Sequence, residues 1–563
     1  MKRLGVWLVG VLATVALVVG TVVAVWVGPD DVIALPQHEV ASSPQVVVTA
    51  PTLLAYSGTT LRVTASADRG AVFIGAGHPV DVASYLGDAK RFEADHVSAS
   101  GEVSGRTLGS KGAPTAPETA TFWSHQATDE GSATLDVPLT GAPIQVVMQY
   151  VEGATSQVGL GVAVPGLFRM ALSVAAVGLV LIAVLLVLRR RRRRAPDGGQ
   201  GPPVERPTDD AARASAPTDA SESEPGHVAG VVIRRGHQAG VLVLAASSTF
   251  ALSGCLALPS AVPASTAPVT KTAVTAEEVT ALLKDYDQRN NAAIAALAKK
   301  FDIKLWDKAD TGPVLAADRA DSAIEHAVGE PQEKLVLAHA GGQVYSPRFA
   351  AYPMWSALTT KVSQVKPTSD KHSPSDNLRV FSRASATAPW RLAQSVPADV
   401  RPAKALGAGD ATATTKEVAT SVALMKDIIG WFEGGSTKVK PSTSMNEVRN
   451  RLRDKVEGTA STAVTCRPYL VREEPKESLR AVRTSGGVLT VMTLQCHSVV
   501  TPVDGQTMGW KNEYAKALQY PASLGGVWTR VVLVTVAVET QADKKIGIGA
   551  TADLVRSPDV SLK

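Results

Sequence analysis

Cys255, Cys466 and Cys496 are the side chains with the most distinctive chemistry in this 563-residue chain, which has only three cysteines. Such sparse use excludes a disulfide-rich scaffold and a four-cysteine zinc site; it leaves room for one lone functional cysteine and one pair. Cys466 and Cys496 fall thirty residues apart in two strand-like stretches. Outside the cytoplasm a disulfide between neighbouring strands is their natural role, stabilising by roughly 3 kcal/mol on the chain-entropy account, with two free buried thiols as the alternative. His497 adjoins Cys496 but on a strand points to the opposite face, which argues against a catalytic thiol. The ten histidines include no His-Glu-x-x-His and no tight pair at metal-ligand spacing, so no metal site is expected. His326 with Asp318 and Asp321 comes nearest to a cluster and reads as surface charge on a helix. A P-loop, a dinucleotide glycine fingerprint and a Gly-x-Ser-x-Gly elbow are also missing, so neither a catalytic residue nor a cofactor is expected.

Charge is concentrated where it bears on membrane topology. The formal net charge is +5, and the run Arg189, Arg190, Arg191, Arg192, Arg193 and Arg194 alone supplies six positive charges, leaving the rest at about −1. A nucleic-acid-binding face needs basic residues spread over a folded surface, so no nucleic-acid partner is expected. The arginines follow Met170 to Leu188, nineteen uncharged residues that reach about 28 Å as a helix, close to the hydrocarbon thickness. An earlier apolar run, Leu4 to Val27, follows Lys2 and Arg3 and has no small-residue cleavage exit; it reads as an uncleaved anchor, with a cleaved signal as the alternative. Basic residues are retained on the cytoplasmic side, so the arginine run marks an inner end.

A third segment, 234–258, opens with Arg234 and Arg235 and ends its apolar stretch at Leu252-Ser253-Gly254-Cys255. It resembles the lipobox of a bacterial lipoprotein signal, and that resemblance implies cleavage before Cys255 and lipid on its sulfur. The motif lies more than 230 residues into the chain. Two readings therefore stay open: processing that releases a lipoprotein, or a third spanning helix. A buried structural cysteine is the remaining option. The expected path is inside, outside, inside, outside, with both folded parts extracytoplasmic.

The parts between follow from patterning. Residues 28–165 show alternating strand-like runs at 60–67, 71–76, 96–103, 133–137 and 144–151, which predict an all-β, sandwich-like or half-barrel domain between spans at 4–27 and 166–188. Val72-Phe73-Ile74-Gly75, Asp81 to Leu86, Thr121-Phe122-Trp123 and Val146-Val147-Met148 resemble an uncharacterised family of actinobacterial membrane proteins with one β-rich external domain. Core packing is the expected role of Tyr85 and Trp123. Residues 189–233 form a basic cytoplasmic linker, poor in large apolar residues and expected to be disordered, and 259–273 an external linker. Thr275-x-x-Glu278 and Thr414-x-x-Glu417 are capping boxes 139 residues apart, each opening a helix followed by a shorter helix and strands. Two tandem α+β units are expected, at 274–398 and 410–556, each a helix packed on a curved antiparallel sheet and resembling the cystatin-like or nuclear-transport-factor-like cone. Tyr352-Pro353-x-Trp355, Val380-Phe381-x-Arg383-Ala384 and Pro389-Trp390 resemble uncharacterised actinobacterial lipoproteins.

The sequence thus points to a non-catalytic cell-envelope protein in contact with membrane lipids, whose external domains bind a partner protein, a lipid or a cell-wall component. An accessory subunit of an envelope transport or wall-building machine is the alternative, and a hydrolase without a recognised motif is the third. A pocket between helix and sheet is the place where such a fold holds a ligand, with Trp306, Trp355, Trp390 and Trp431 as candidate linings.

Overall fold

The computed structural model describes residues 2–193 and 260–555, short internal stretches excepted. Cys255, Arg194, the linker at 195–233 and the third apolar segment lie outside the described residues. Helices α1 (Lys2–Val27), α2 (Pro79–Leu86) and α3 (Leu167–Arg193) belong to the first part of the chain. Two of them, α1 and α3, are long and apolar enough to cross a membrane. They pack as an antiparallel hairpin whose close approach is set by glycine. A Cβ on Gly20 would meet the backbone nitrogen of Ala175 at 2.6 Å, and one on Gly178 would meet that of Leu17 at 2.6 Å. Between apolar helices in an apolar solvent, such small-residue contacts supply the association that water exclusion cannot. Asp31 closes the end where α1 finishes and α3 begins: its carboxylate accepts the backbone N–H groups of Gly166 at 2.8 Å and Phe168 at 2.7 Å, capping α3 from just beyond α1. Those two donors hold the Asp31 carboxyl below its ordinary range.

Strands β1 (Val32–Ala34), β2 (His38–Glu39), β3 (Val46–Thr49), β4 (Tyr56–Gly77), β5 (Arg91–Val97), β6 (Val103–Leu108), β7 (His125–Thr140), β8 (Gln145–Gln149) and β9 (Ser156–Ala163) form one sheet, not the two of a sandwich. The cause is β4, 22 residues long. One edge pairs with β7 along most of its length, while the other is shared by β9 over 60–67 and β8 over 73–77. A strand common to both halves makes the sheet curl around Val63, Val72, Ile74, Val137 and Met148. The run at 96–103, expected as one strand, instead ends β5 at Val97 and begins β6 at Val103, with a turn between them in which Ser98 N–H bonds Glu102 O at 2.9 Å and Gly101 takes φ 92°. Asp81 to Leu86 belong to the helix α2, and Tyr85 packs there against Phe122 and Trp123, as core.

The second part carries β10 (Ser260–Ala261), β11 (Lys271–Thr272), α4 (Val279–Lys300), α5 (Trp306–Ala309), α6 (Gly312–Val328), β12 (Leu337–Tyr345), β13 (Arg348–Phe349), β14 (Met354–Gln364), β15 (Ser375–Arg383) and β16 (Arg391–Pro397). It continues with α7 (Thr415–Phe432), α8 (Thr443–Arg453), β17 (Thr459–Pro468), β18 (Leu479–Arg483), β19 (Gly487–Pro502), β20 (Met508–Gly509), β21 (Ser523–Leu524), β22 (Trp528–Gln541) and β23 (Lys545–Leu554). Each half is helices followed by an antiparallel sheet, ordered β12-β14-β15-β16 in the first and β17-β19-β22-β23 in the second, with β18 also on β19. The capping box at Thr414 is complete; at Thr275 only the arm from Thr275 N–H to Glu278 Oε2 forms, at 2.8 Å.

Alternation along the strands decides the layering. Leu358, Phe381 and Leu392 face α4, while Ala357 and Val380 face the other way. Met492, Leu494, Val534 and Val536 face α7, while Leu489, Val491 and Ala537 meet the first sheet. The module is therefore helix, sheet, sheet, helix, with the two sheets sharing one apolar seam. The expected linker at 259–273 is partly structured, since β10 pairs with β4 and β11 with β13. Nor are the two parts separate bodies: Asp81 of α2 bonds Lys271 and Tyr352 of the module. Substituting Gly178→Val drives a side chain into the α1 backbone, so the hairpin should lose about 1–3 kcal/mol, read as a lower melting temperature in detergent with near-ultraviolet signals of the β domain retained.

Candidate functional site

Helix α6 crosses from the first unit to the second. Ala316 and Ala320 pack on Val531, Leu533 and Val555, while Val314 and Leu315 belong to the first core. Under this crossing lies a cavity of about 310 Å³, bounded by α4, α6, β15 and β16 on one side and by Thr535, Thr551 and Asp553 of the second sheet on the other. Its walls carry an unusual set of polar groups. Behind the wall, at the end of α5, Asp310 is fully buried; its Oδ1 accepts the Tyr286 hydroxyl at 3.3 Å, and its carboxyl meets that of Asp318, which does line the cavity. Asn290 is 5% exposed and its Nδ2 is unpartnered, although it lines the cavity.

His339 is held with equal definition. Asp287 accepts its backbone N–H at 3.0 Å and also meets its Nδ1. Burial lowers its proton affinity, so the ring is neutral at ordinary pH. With Nδ1–H donating to the carboxylate, Nε2 is left as a bare acceptor. That atom is buried, unpartnered and on the cavity wall. A Ser–His–Asp relay needs a hydroxyl at Nε2, and none of the described residues places one there. His339 also borders a second cavity of about 500 Å³, formed by α4 residues including Thr280, Lys284 and Gln288.

The carboxyls set the electrostatics. Burial, foremost, raises the proton affinity of Asp310 and Asp318, and the neighbouring Asp310 charge raises Asp318 further. Two such groups facing one another retain a shared proton at neutral pH. Asp321 is pushed up to about 6 by burial and then by Asp553 and Glu325, and burial raises Asp553 against the nearby Arg451. Arg379, with an unpartnered Nε, is the one Lys or Arg among the residues lining this cavity. The site therefore presents donors, acceptors and a surplus of carboxyls held back from ionising.

Sequence reading placed Asp318 and Asp321 on the surface with His326. The structure separates them: Asp318 is half-buried on the cavity wall, Asp321 is an exposed residue at the cavity's edge, as a surface charge should be, and His326 stacks on Phe301 with ring centroids 3.7 Å apart. The available signal was that Asp318 stands four residues after Val314, on the helix's apolar side. Of the four tryptophans, Trp306 lines the cavity and donates to Ser322 Oγ at 3.0 Å. Trp431 is core of the second unit, under the Arg449 guanidinium, and Trp355 and Trp390 pack elsewhere in the first. Cys466 and Cys496 face one another on β17 and β19 and form a disulfide, away from the cavity. Arg189 to Arg193 end α3. No group of three or more metal-binding side chains occurs among the described residues.

A strand-rich protein with a hairpin of two helices long and apolar enough to cross a membrane, and with a two-unit α+β module, is the class these features define. Residues 270–557, just over half of the chain, match the family described as Domain of unknown function (DUF8094), and the chain belongs to that family. No curated protein and no solved structure matches it.

Raised carboxyls have a definite sign in stability. The folded state holds more protons than the unfolded one between about pH 4, where free carboxyls titrate, and about 7, where Asp310 does, so stability falls as pH rises through that window. Asp318→Asn imitates the protonated acid. It should raise the melting temperature at pH 8 while leaving it nearly unchanged at pH 5, in thermal scans at the two pH values.

Proposed function

We propose that this chain is a membrane-anchored binding protein of the bacterial cell envelope, and that the cavity between its two α+β units takes a small amine-bearing ligand. One observation carries this reading: Asn290 Nδ2 and His339 Nε2 are buried, unpartnered and turned to the same cavity. Buried polar atoms are seldom left without partners, because each costs about 1–3 kcal/mol, so a constellation of them marks a place where a ligand completes the bonding. The excess of carboxyls over Arg379 favours a cation, which would replace the shared protons. Calorimetric titration with 1,4-diaminobutane and with its neutral isostere 1,4-butanediol tests this. The diamine should bind at least tenfold more tightly, with affinity rising from pH 6 to pH 8, and Asp318→Asn should remove the preference. Equal or absent binding of the two would sink the reading.

The placement outside the membrane rests on charge and chemistry. Arginine retention puts the end of α3 inside, and so puts the outer ends of α1 and α3 and the β domain outside. The Cys466–Cys496 disulfide fits an oxidising compartment. The register of the first described residues after Cys255 supports a position for it near the membrane. Ala163, just before α3, pairs with Thr60, so β4 runs toward the membrane in the direction of Ser57, and Ser57 pairs with Ser260. Cys255 stands five residues before Ser260, a reach of about 17 Å when extended. A lipid on that sulfur is then within reach of the bilayer, as in the lipoproteins the module resembles, with actinobacteria the expected source. Mass analysis of protein extracted from membranes should find a lipidated fragment beginning at Cys255, absent in Cys255→Ala. An intact chain in both samples refutes processing.

A further inference from the structure

The contact between α2 and the module has the composition of an interface between partners. Asp81 is 1% exposed. Its Oδ2 meets Lys271 Nζ at 2.6 Å and its Oδ1 accepts the Tyr352 hydroxyl at 2.7 Å, so a carboxylate from one part has both oxygens satisfied by the other. Three residues along the same helix, Ser84 Oγ accepts the backbone N–H of Ala386 at 3.1 Å. Around these bonds Val80 of α2 enters an apolar cluster with Ala273, Phe349, Met354 and Trp390. A second patch extends the contact: β10 adds to β4, with Ser260 opposite Ser57 and Ala261 opposite Tyr56, and Val262 N–H bonds Ala55 O at 2.9 Å.

These features share one property. Each is matched only while the two parts are together: separation takes from the Asp81 carboxylate its cation and hydroxyl, puts an apolar side chain in water and opens a strand edge. A hydrogen-bonded ion pair in an enclosed setting acts chiefly on the dissociation rate, so removing one partner of such a pair speeds separation. Contacts that merely follow from tethering have no need of a matched anion and cation in their centre.

We infer that residues 28–165 and 260–555 are two partners of a non-covalent complex, latched by Asp81, which remains assembled when the chain between them is cut. The inference does not depend on what the cavity holds. It gives the lipobox-like segment a consequence: severing the chain there yields two membrane-bound pieces that stay together, one held by the helix hairpin and one by the latch.

The experiment uses the full chain with a specific protease site inserted between residues 210 and 211 and an affinity tag at the C-terminus, purified in detergent and then cut. The N-terminal piece should stay with the tagged piece through capture and gel filtration at nanomolar concentration. Asp81→Lys and Lys271→Asp should each cut the retained fraction at least tenfold after cleavage, and the double exchange should restore it. Restoration by the exchange also shows that the single variants failed at the contact and not through misfolding. Separation of the unsubstituted pieces on cutting overturns the complex. Retention unchanged by either charge reversal, or loss that the exchange leaves unrepaired, overturns the assignment of the latch to Asp81.

Discussion

Gln394 holds the module together at the point where its two sheets meet. The side chain is fully buried on β16; its Nε2 donates to Thr493 Oγ1 at 2.9 Å and its Oε1 accepts from Arg480 at 2.7 Å, both from the second sheet. The apolar seam around Val380, Leu489 and Ile548 supplies most of the attraction, yet an apolar seam alone fixes no register. A buried amide with both ends matched does, because any slide leaves it unsatisfied. The same chain of bonds continues from Thr493 to Thr535, 3.1 Å away, and Thr535 is a wall of the cavity. The registry of the sheets and the shape of the site are thus one constraint.

Elsewhere the molecule repeats this device at each boundary. Asp31 joins the two apolar helices, and Asp81 joins the β domain to the module. In each case a carboxylate from one element accepts bonds from another, so folding of the parts and docking of the parts are coupled. The cavity is where the device stops. Asn290 and His339 are positioned by bonds through one end of each side chain, while the other end is left open. Fixed orientation with free valence is what preorganised binding requires, since the ordering of the groups precedes the ligand.

Much of the architecture was legible in the sequence because its signals are local. The arginine run beside an apolar helix, the capping box at Thr414 and the alternation through β19 and β22 each need fewer than thirty residues to be read. Cys466 and Cys496 were legible for a related reason, being the only cysteines in strand-like surroundings. The curl of the first sheet was not, because it depends on β4 serving two neighbours on one edge. The site was least legible. His339 acquires its meaning from Asp287, 52 residues earlier, and Asp318 from Asp553 across the sheet junction. Their spacing follows no motif, since the geometry comes from sheet packing and not from one turn or helix.

Keeping several carboxyls in and around an enclosed space has a thermodynamic consequence for the rest of the module. Above the pH at which free carboxyls titrate, each group with a raised proton affinity opposes folding. That opposition has to be offset nearby, and the second sheet is built for it. Strand β19 is buried on both faces for much of its length, and β22 runs beside it along fourteen residue pairs. The disulfide then joins β17 to β19 at the position where Cys466 and Cys496 stand opposite, removing freedom from the unfolded chain without adding strain to the cavity's own walls. A bond placed across the cavity would close it; a bond one strand away stabilises the frame and leaves the cavity open.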